Sequence, residues 1–206
     1  MKPSLFSGTG LHQLLHHCAT RIASAIAQIP AAEVLSGNLD ELAKRVSAAA
    51  LSAESLLTPV RLKNEGKRSE VSEVQIEIVP DEFSRPFGRP PSYQQGTEFA
   101  VYIPFEGDAA LLSVKPSDAL LPAPPKGHVK GKEVVIAVQV TQIQKDEIES
   151  RLQRQFDLLK RYLESVHGEL YEFVPKLQAQ AQAALHARYV RLKEAQDLAK
   201  NLRLPT

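Results

Sequence analysis

Proline is spread so unevenly along this chain that it fixes where long helices can form. Ten of the fourteen prolines fall between residues 58 and 141, together with most of the glycines. A proline ring removes a backbone donor and clashes with the preceding helical turn, so this stretch has no room for a long helix. Residues 9–57 contain only Pro30, and residues 144–203 only Pro175. The chain therefore divides into segments at 1–60, 61–141 and 142–206, expected to form one compact unit. The expected fold class is α+β: N-terminal helices, a small antiparallel β-sheet or partial barrel, and a long C-terminal helical hairpin.

Within the first segment, Thr9 is placed to cap a helix in which Leu11, Leu14, Leu15, Ile22, Ile26 and Ile29 recur at helical spacing. Pro30 ends that helix. Asn38 then caps another through Leu39, Leu42, Val46, Ala49 and Ala50, with Asp40 and Glu41 in its first turn, where the helix dipole favours acids. In the middle segment Val74-Gln75-Ile76-Glu77-Ile78 alternates apolar and polar residues, the period of a strand with one wet face. Phe99, Val101, Ile103 and Phe105 share one face of a second strand, expected to end near Pro104, and Leu111–Val114 is expected to be a short third. Val134, Ile136, Val138 and Val140 make the strongest strand, entered from Gly127-His128-Val129 through a turn at Gly131.

The third segment carries a narrow heptad-like seam of Ile148, Leu152, Phe156, Leu159, Leu163 and Val166. Gly168 and Pro175 interrupt it before Leu177, Ala181, Leu185 and Leu192 resume the pattern. An unbroken helix here would run roughly 80 Å, more than so small a chain is expected to cover. A turn at Gly168 and a helical hairpin are therefore expected, with a self-associating coiled coil as the alternative.

Charge and cysteine content exclude several classes. With 25 Lys and Arg against 24 Asp and Glu, the chain is neither a basic coat for nucleic acid nor an acidic tail. A single cysteine, Cys18, excludes an intramolecular disulfide framework and a multi-cysteine zinc site, and fits a reducing, cytoplasmic setting. The first 32 residues lack acids, but His12, His16 and His17 break the apolar run that a signal peptide needs. No stretch of eighteen apolar residues occurs, so no membrane partner is expected.

The motifs of common chemistries are missing. There is no Gly-x-Ser-x-Gly elbow, no Gly-x4-Gly-Lys-Ser/Thr phosphate loop and no Gly-x-Gly-x-x-Gly. His12 and His16 have the four-residue spacing of a zinc pair near Cys18, yet Gln13 stands where a zinc protease has glutamate. The one Glu-x-Lys, Glu65-Gly66-Lys67, lies in a polar run before the first strand, so it lacks the strand-end setting of a nuclease core. No catalytic residue, cofactor or metal site is expected. The rigid proline-rich loops offer Arg85, Phe87, Phe105, Gly107 and Asp108 as a partner-binding surface. A nucleic-acid contact through Arg188, Arg191, Lys193, Lys200 and Arg203 is the alternative, although residues 144–206 balance eleven basic against nine acidic side chains.

Arg85-Pro86-Phe87, Gly96-Thr97 before an apolar strand, Ile103-Pro104-Phe105-Glu106-Gly107-Asp108, Pro116-Ser117, a glycine turn into a further strand and a helical region closing on Leu204-Pro205 occur in this order. The order resembles an uncharacterised bacterial defence-associated family, over roughly residues 70–206. In that family the module is the N-terminal part of longer chains, some of which continue through a proline-rich linker into a domain similar to PD-(D/E)xK nucleases. The resemblance implies an anti-phage defence setting and a regulatory subunit that docks a separate effector protein or another copy of itself. This sequence stops at Asn201–Thr206, where that linker begins, so the nuclease-like domain's catalytic residues have no counterpart here.

Overall fold

The computed structural model describes residues 4–56, 58–78 and 92–201. Three helices come first: α1 (Leu11–Gln28), α2 (Ala31–Ser36) and α3 (Leu39–Ala53). Pro30 separates α1 from α2, occupying the cap position of the second helix, where its missing N–H costs nothing. Asn38 caps α3 as its sequence predicts, its Oδ1 accepting from the Asp40 N–H at 2.9 Å and the Glu41 N–H at 3.4 Å. Thr9 does not cap α1. Gly10 holds that position, and the Thr9 carbonyl instead accepts from Lys115 at 3.0 Å.

The sheet comprises β1 (Arg61–Leu62), β2 (Arg68–Ile78), β3 (Ser92–Glu106), β4 (Gly127–Lys130) and β5 (Glu133–Val140), all antiparallel. β3 is central, with β5 on one side and β1 followed by β2 on the other; β4 flanks β5, and the sheet does not close. Phe99, Val101, Ile103 and Phe105 share the helix-facing side of β3, as their spacing predicts. That strand does not stop at Pro104. The neighbouring edge is interrupted there by residues 63–67, so the missing proline donor leaves no long ladder unmatched. Residues 111–114 are not a strand either: Ala109–Leu112 is a 3-10 turn that buries Leu111 and Leu112.

The expected C-terminal hairpin is replaced by one helix, α4 (Lys145–Asn201), of 57 residues and about 85 Å. Gly168 lies on its exposed side with open space around it, so nothing forces a turn, and a lone glycine costs only about 1 kcal/mol. Pro175 is tolerated within the helix. The rod is covered because the other elements lie side by side along it. Its first half packs on the sheet through Ile148 and Leu152, and its second half packs on α1, α2 and α3. Buried Leu159, Leu163, Val166, Leu170, Leu177, Ala181 and Leu185 form an unbroken stripe through one shared core.

Residues 4–10 form a strap that ties the two halves together. Leu5 N–H donates to the Pro125 carbonyl at 3.2 Å, Phe6 N–H to Leu112 at 2.8 Å and Gly8 N–H to Ser113 at 2.8 Å. The Phe6 ring sits 5.1 Å from that of Tyr162 on α4, whose hydroxyl donates to the Pro122 carbonyl at 2.5 Å.

Candidate interaction surface

A groove of about 690 Å³ lies between the first turns of α4 and the helix-facing side of the sheet. Val101, Ile103 and Ile136 supply its floor from β3 and β5, while Leu152 and Phe156 supply one wall. Asp146, Glu149, Ser150 and Gln153 line the α4 rim, and Lys67 reaches in from the 63–67 excursion. The Lys67 ammonium lies 4.7 Å from the Phe156 ring centre, and Lys160 lies 4.4 Å from it. These are cation–π distances, so Lys67, although exposed, rests against the aromatic wall. This places the Glu65-Gly66-Lys67 run in a turn, with Gly66 at φ +76°.

Beyond the groove the sheet continues into β2. Its register puts Ser69, Val71, Glu73, Gln75 and Glu77 on the groove side, and Arg68, Glu70, Ser72, Val74 and Ile76 on the opposite face. Val71 is 64% exposed. On the opposite face the Arg68 guanidinium lies 3.7 Å from the Tyr102 ring centre, pairs with Glu133 at 3.0 Å and also pairs with Glu70. Tyr102 donates its hydroxyl to Glu70 at 2.6 Å. That hydrogen bond, with Arg68 next in weight, holds the Glu70 carboxyl below its ordinary range; the same bond, and then burial, raises the Tyr102 phenol. The cluster satisfies itself and staples β2, β3 and β5 together.

The residues singled out by sequence fall in different places. Arg85, Phe87 and Arg203 lie outside the described residues. Phe105 is not an exposed aromatic: it is 3% exposed and belongs to the core, because the strand runs on past Pro104. Gly107 and Asp108 form a structural corner. Gly107 has φ +101°, and a Cβ there would stand 2.3 Å from the Pro59 carbonyl oxygen. The Asp108 N–H donates to Thr58 at 3.0 Å, and Lys132 donates to the Gly107 carbonyl at 3.2 Å. This corner fastens β3 to the residues entering β1.

Among the C-terminal cations, Arg188 spends its guanidinium on the carbonyls of Ile26 and Ile29, closing the end of α1. Lys193 lies 5.8 Å from the Tyr189 ring centre, and Lys200 pairs with Asp197 at 3.7 Å. Arg191 is exposed and makes no hydrogen bond or ion pair within the described residues. His12 and His16 are exposed, whereas Cys18 points into the core, its thiol 3.5 Å from the Ala50 carbonyl. Burial, and then Glu54, pushes that thiol up to about 11. No group of three His, Cys, Asp or Glu side chains is placed to hold a metal ion among the described residues.

Sequence reasoning missed the groove and the β2 edge. Arg68–Glu73 lengthens the expected Val74–Ile78 strand by six residues, whose one apolar side chain, Val71, is too few to show a strand period. Compared with known proteins, the chain matches no protein family model, no curated protein and no solved structure. No helix among the described residues is long and apolar enough to cross a membrane.

Proposed function

We propose that this chain is a non-catalytic interaction subunit that docks and regulates a separate effector protein, in a bacterial assembly of the defence type its sequence resembles. The observation that carries this reading is the groove. Partly buried Val101, Leu152 and Phe156 offer apolar surface over a floor closed by the buried Ile103 and Ile136, with a polar rim, the composition that a partner's apolar anchor requires. The loops first expected to dock are different in kind, since Phe105, Gly107 and Asp108 spend their contacts inside the chain. The nucleic-acid reading loses its strongest residue, because the Arg188 guanidinium is committed to two carbonyls.

The test is co-expression with the products of adjacent genes, followed by affinity capture and solution mass. A stoichiometric complex is expected, weakened by Ser150→Arg or Gln153→Arg at the groove rim. A chain that stays monomeric and captures none of those products would refute the reading. Binding to duplex DNA that falls steeply with salt and depends on Arg191 would replace it with the nucleic-acid alternative.

A further inference from the structure

We infer that the free edge of β2 is a docking strand that takes up an extended, basic segment of the partner protein by β-strand addition. This inference rests on the reading of the chain as an interaction subunit and names the partner's chemistry.

The direction of the backbone groups follows from the hydrogen bonds at the start of the sheet. Lys63 N–H donates to the Pro104 carbonyl, whereas Phe105 N–H donates across the other side of β3 to Lys132. Even-numbered residues of β3 therefore bond towards β2, and odd-numbered ones towards β5. With Arg68 opposite Tyr102 and Ile78 opposite Ser92 in unbroken register, the even-numbered residues of β2 bond β3. The N–H and C=O groups of Ser69, Val71, Glu73, Gln75 and Glu77 point away from the sheet. No described element pairs with them. Such a row is a template for another strand unless it is blocked. Arg68–Ile78 contains no proline, no lysine and no bulge to block it.

The side chains on this edge define what fits. The outward-bonding residues carry their side chains on the groove side, where Glu73 and Glu77 are exposed beside exposed Val71. Asp146 on the α4 rim adds acid to the same side of the sheet, where Glu149 is paired with Lys145 at 3.8 Å. The nearby cations are committed: Lys67 lies against Phe156, and Arg68 is held on the opposite face by Glu70 and Glu133. A second copy of β2 is a poor occupant. Its only cation is on the wrong face, so every antiparallel register leaves Glu73 and Glu77 without an opposite charge, and some set glutamates against each other. A strand with Lys or Arg opposite Glu73 and Glu77 and an apolar residue opposite Val71 matches throughout. Added antiparallel, it reads basic, any, polar, any, basic, any, apolar.

The test uses the full chain and a labelled peptide, Lys-Thr-Gln-Thr-Lys-Thr-Val, against a control with both lysines changed to glutamate. Saturable binding of the basic peptide is expected, with the control weaker by about tenfold from two lost cross-strand charge pairs. Reversing the protein's charges with Glu73→Lys and Glu77→Lys should exchange the two preferences. Val71→Pro removes an outward donor without touching the β2–β3 ladder, so it should abolish binding while leaving the circular dichroism unchanged. Gln75→Pro serves the same purpose if that variant does not fold. Equal binding of both peptides, no binding, or binding that survives both proline variants overturns the inference. If an adjacent gene product still co-purifies at full yield with these variants, the edge is not the docking site, although the interaction reading stands. If no product co-purifies with the unaltered chain, that reading falls too.

Discussion

The two edges of the sheet are built on opposite plans. β4 has four residues, follows Pro124-Pro125 and is strapped down: Leu5 donates to Pro125, Ser4 bridges Lys126, and the Lys126 N–H donates to Gln155 on α4 at 2.8 Å. β2 has eleven residues, and its outward backbone groups meet no described element. The first plan anchors the entry to a short edge and contributes to stability. The second leaves a row of donors and acceptors that contributes nothing until another strand arrives. Mutations should therefore separate the two edges cleanly, with large losses of stability at β4 and small ones at β2.

The largest effect is expected where the strap enters the core. Leu5 is 4% exposed, and Leu5→Ala should cost about 2–5 kcal/mol in denaturant unfolding. A loss below that range would mean the strap is not what closes this edge. Gly127→Ala comes next. Its Cβ would stand 2.5 Å from the Val135 carbonyl oxygen and 3.2 Å from a Leu5 methyl, so a loss of about 1–3 kcal/mol is expected.

His167, on α4 and near Arg61, provides a pH lever on stability. Its Nε2 is buried without a hydrogen-bond partner, and burial, with Arg61 adding to it, lowers its pKa from the ordinary 6.5. As pH falls, the unfolded chain binds this proton before the folded chain does. The contribution to stability is therefore complete above pH 6.5 and is lost as pH falls below it. Unfolding measured between about pH 5 and pH 8 should show that slope, and His167→Gln should flatten it. At the open edge the effect should be smallest. Val71→Pro should change stability by less than about 1 kcal/mol, because the donor it removes is not in the ladder. A collapse of this variant would place the edge inside the fold after all.

Much of the architecture was legible in the sequence, and the failures share a physical cause. Helical periodicity located α1 and α3, and Asn38 marked the start of α3, because caps and apolar spacing are local signals. Strict alternation located the helix-facing side of β3 and the whole of β5 for the same reason. What failed depended on distant neighbours. Gly168 and Pro175 read as breaks, yet α4 continues through both because its apolar stripe finds the sheet on one half and three helices on the other. Pro104 read as a strand end, yet it is accommodated by an interruption some forty residues earlier, at 63–67. Phe105 read as a docking aromatic because proline and glycine surround it, but the strand runs on past Pro104 and its alternation directs the ring inward. The open edge was invisible for the converse reason, since a strand's lack of a neighbour is written nowhere in its own residues.

Residue-resolved amide hydrogen exchange of the full chain, with and without the basic strand peptide, tests the central claim most directly. In the free protein the amides of Ser69, Val71, Glu73, Gln75 and Glu77 should exchange rapidly, while those of Glu70, Ser72 and Val74 on β2 and Val134, Ile136 and Val138 on β5 stay protected. Saturation with the peptide should protect the first set and leave the second unchanged. Uniform protection along β2 in the free chain, or no gain in protection at Val71 and Glu73 when the peptide is bound, would contradict an open edge that recognises a partner strand.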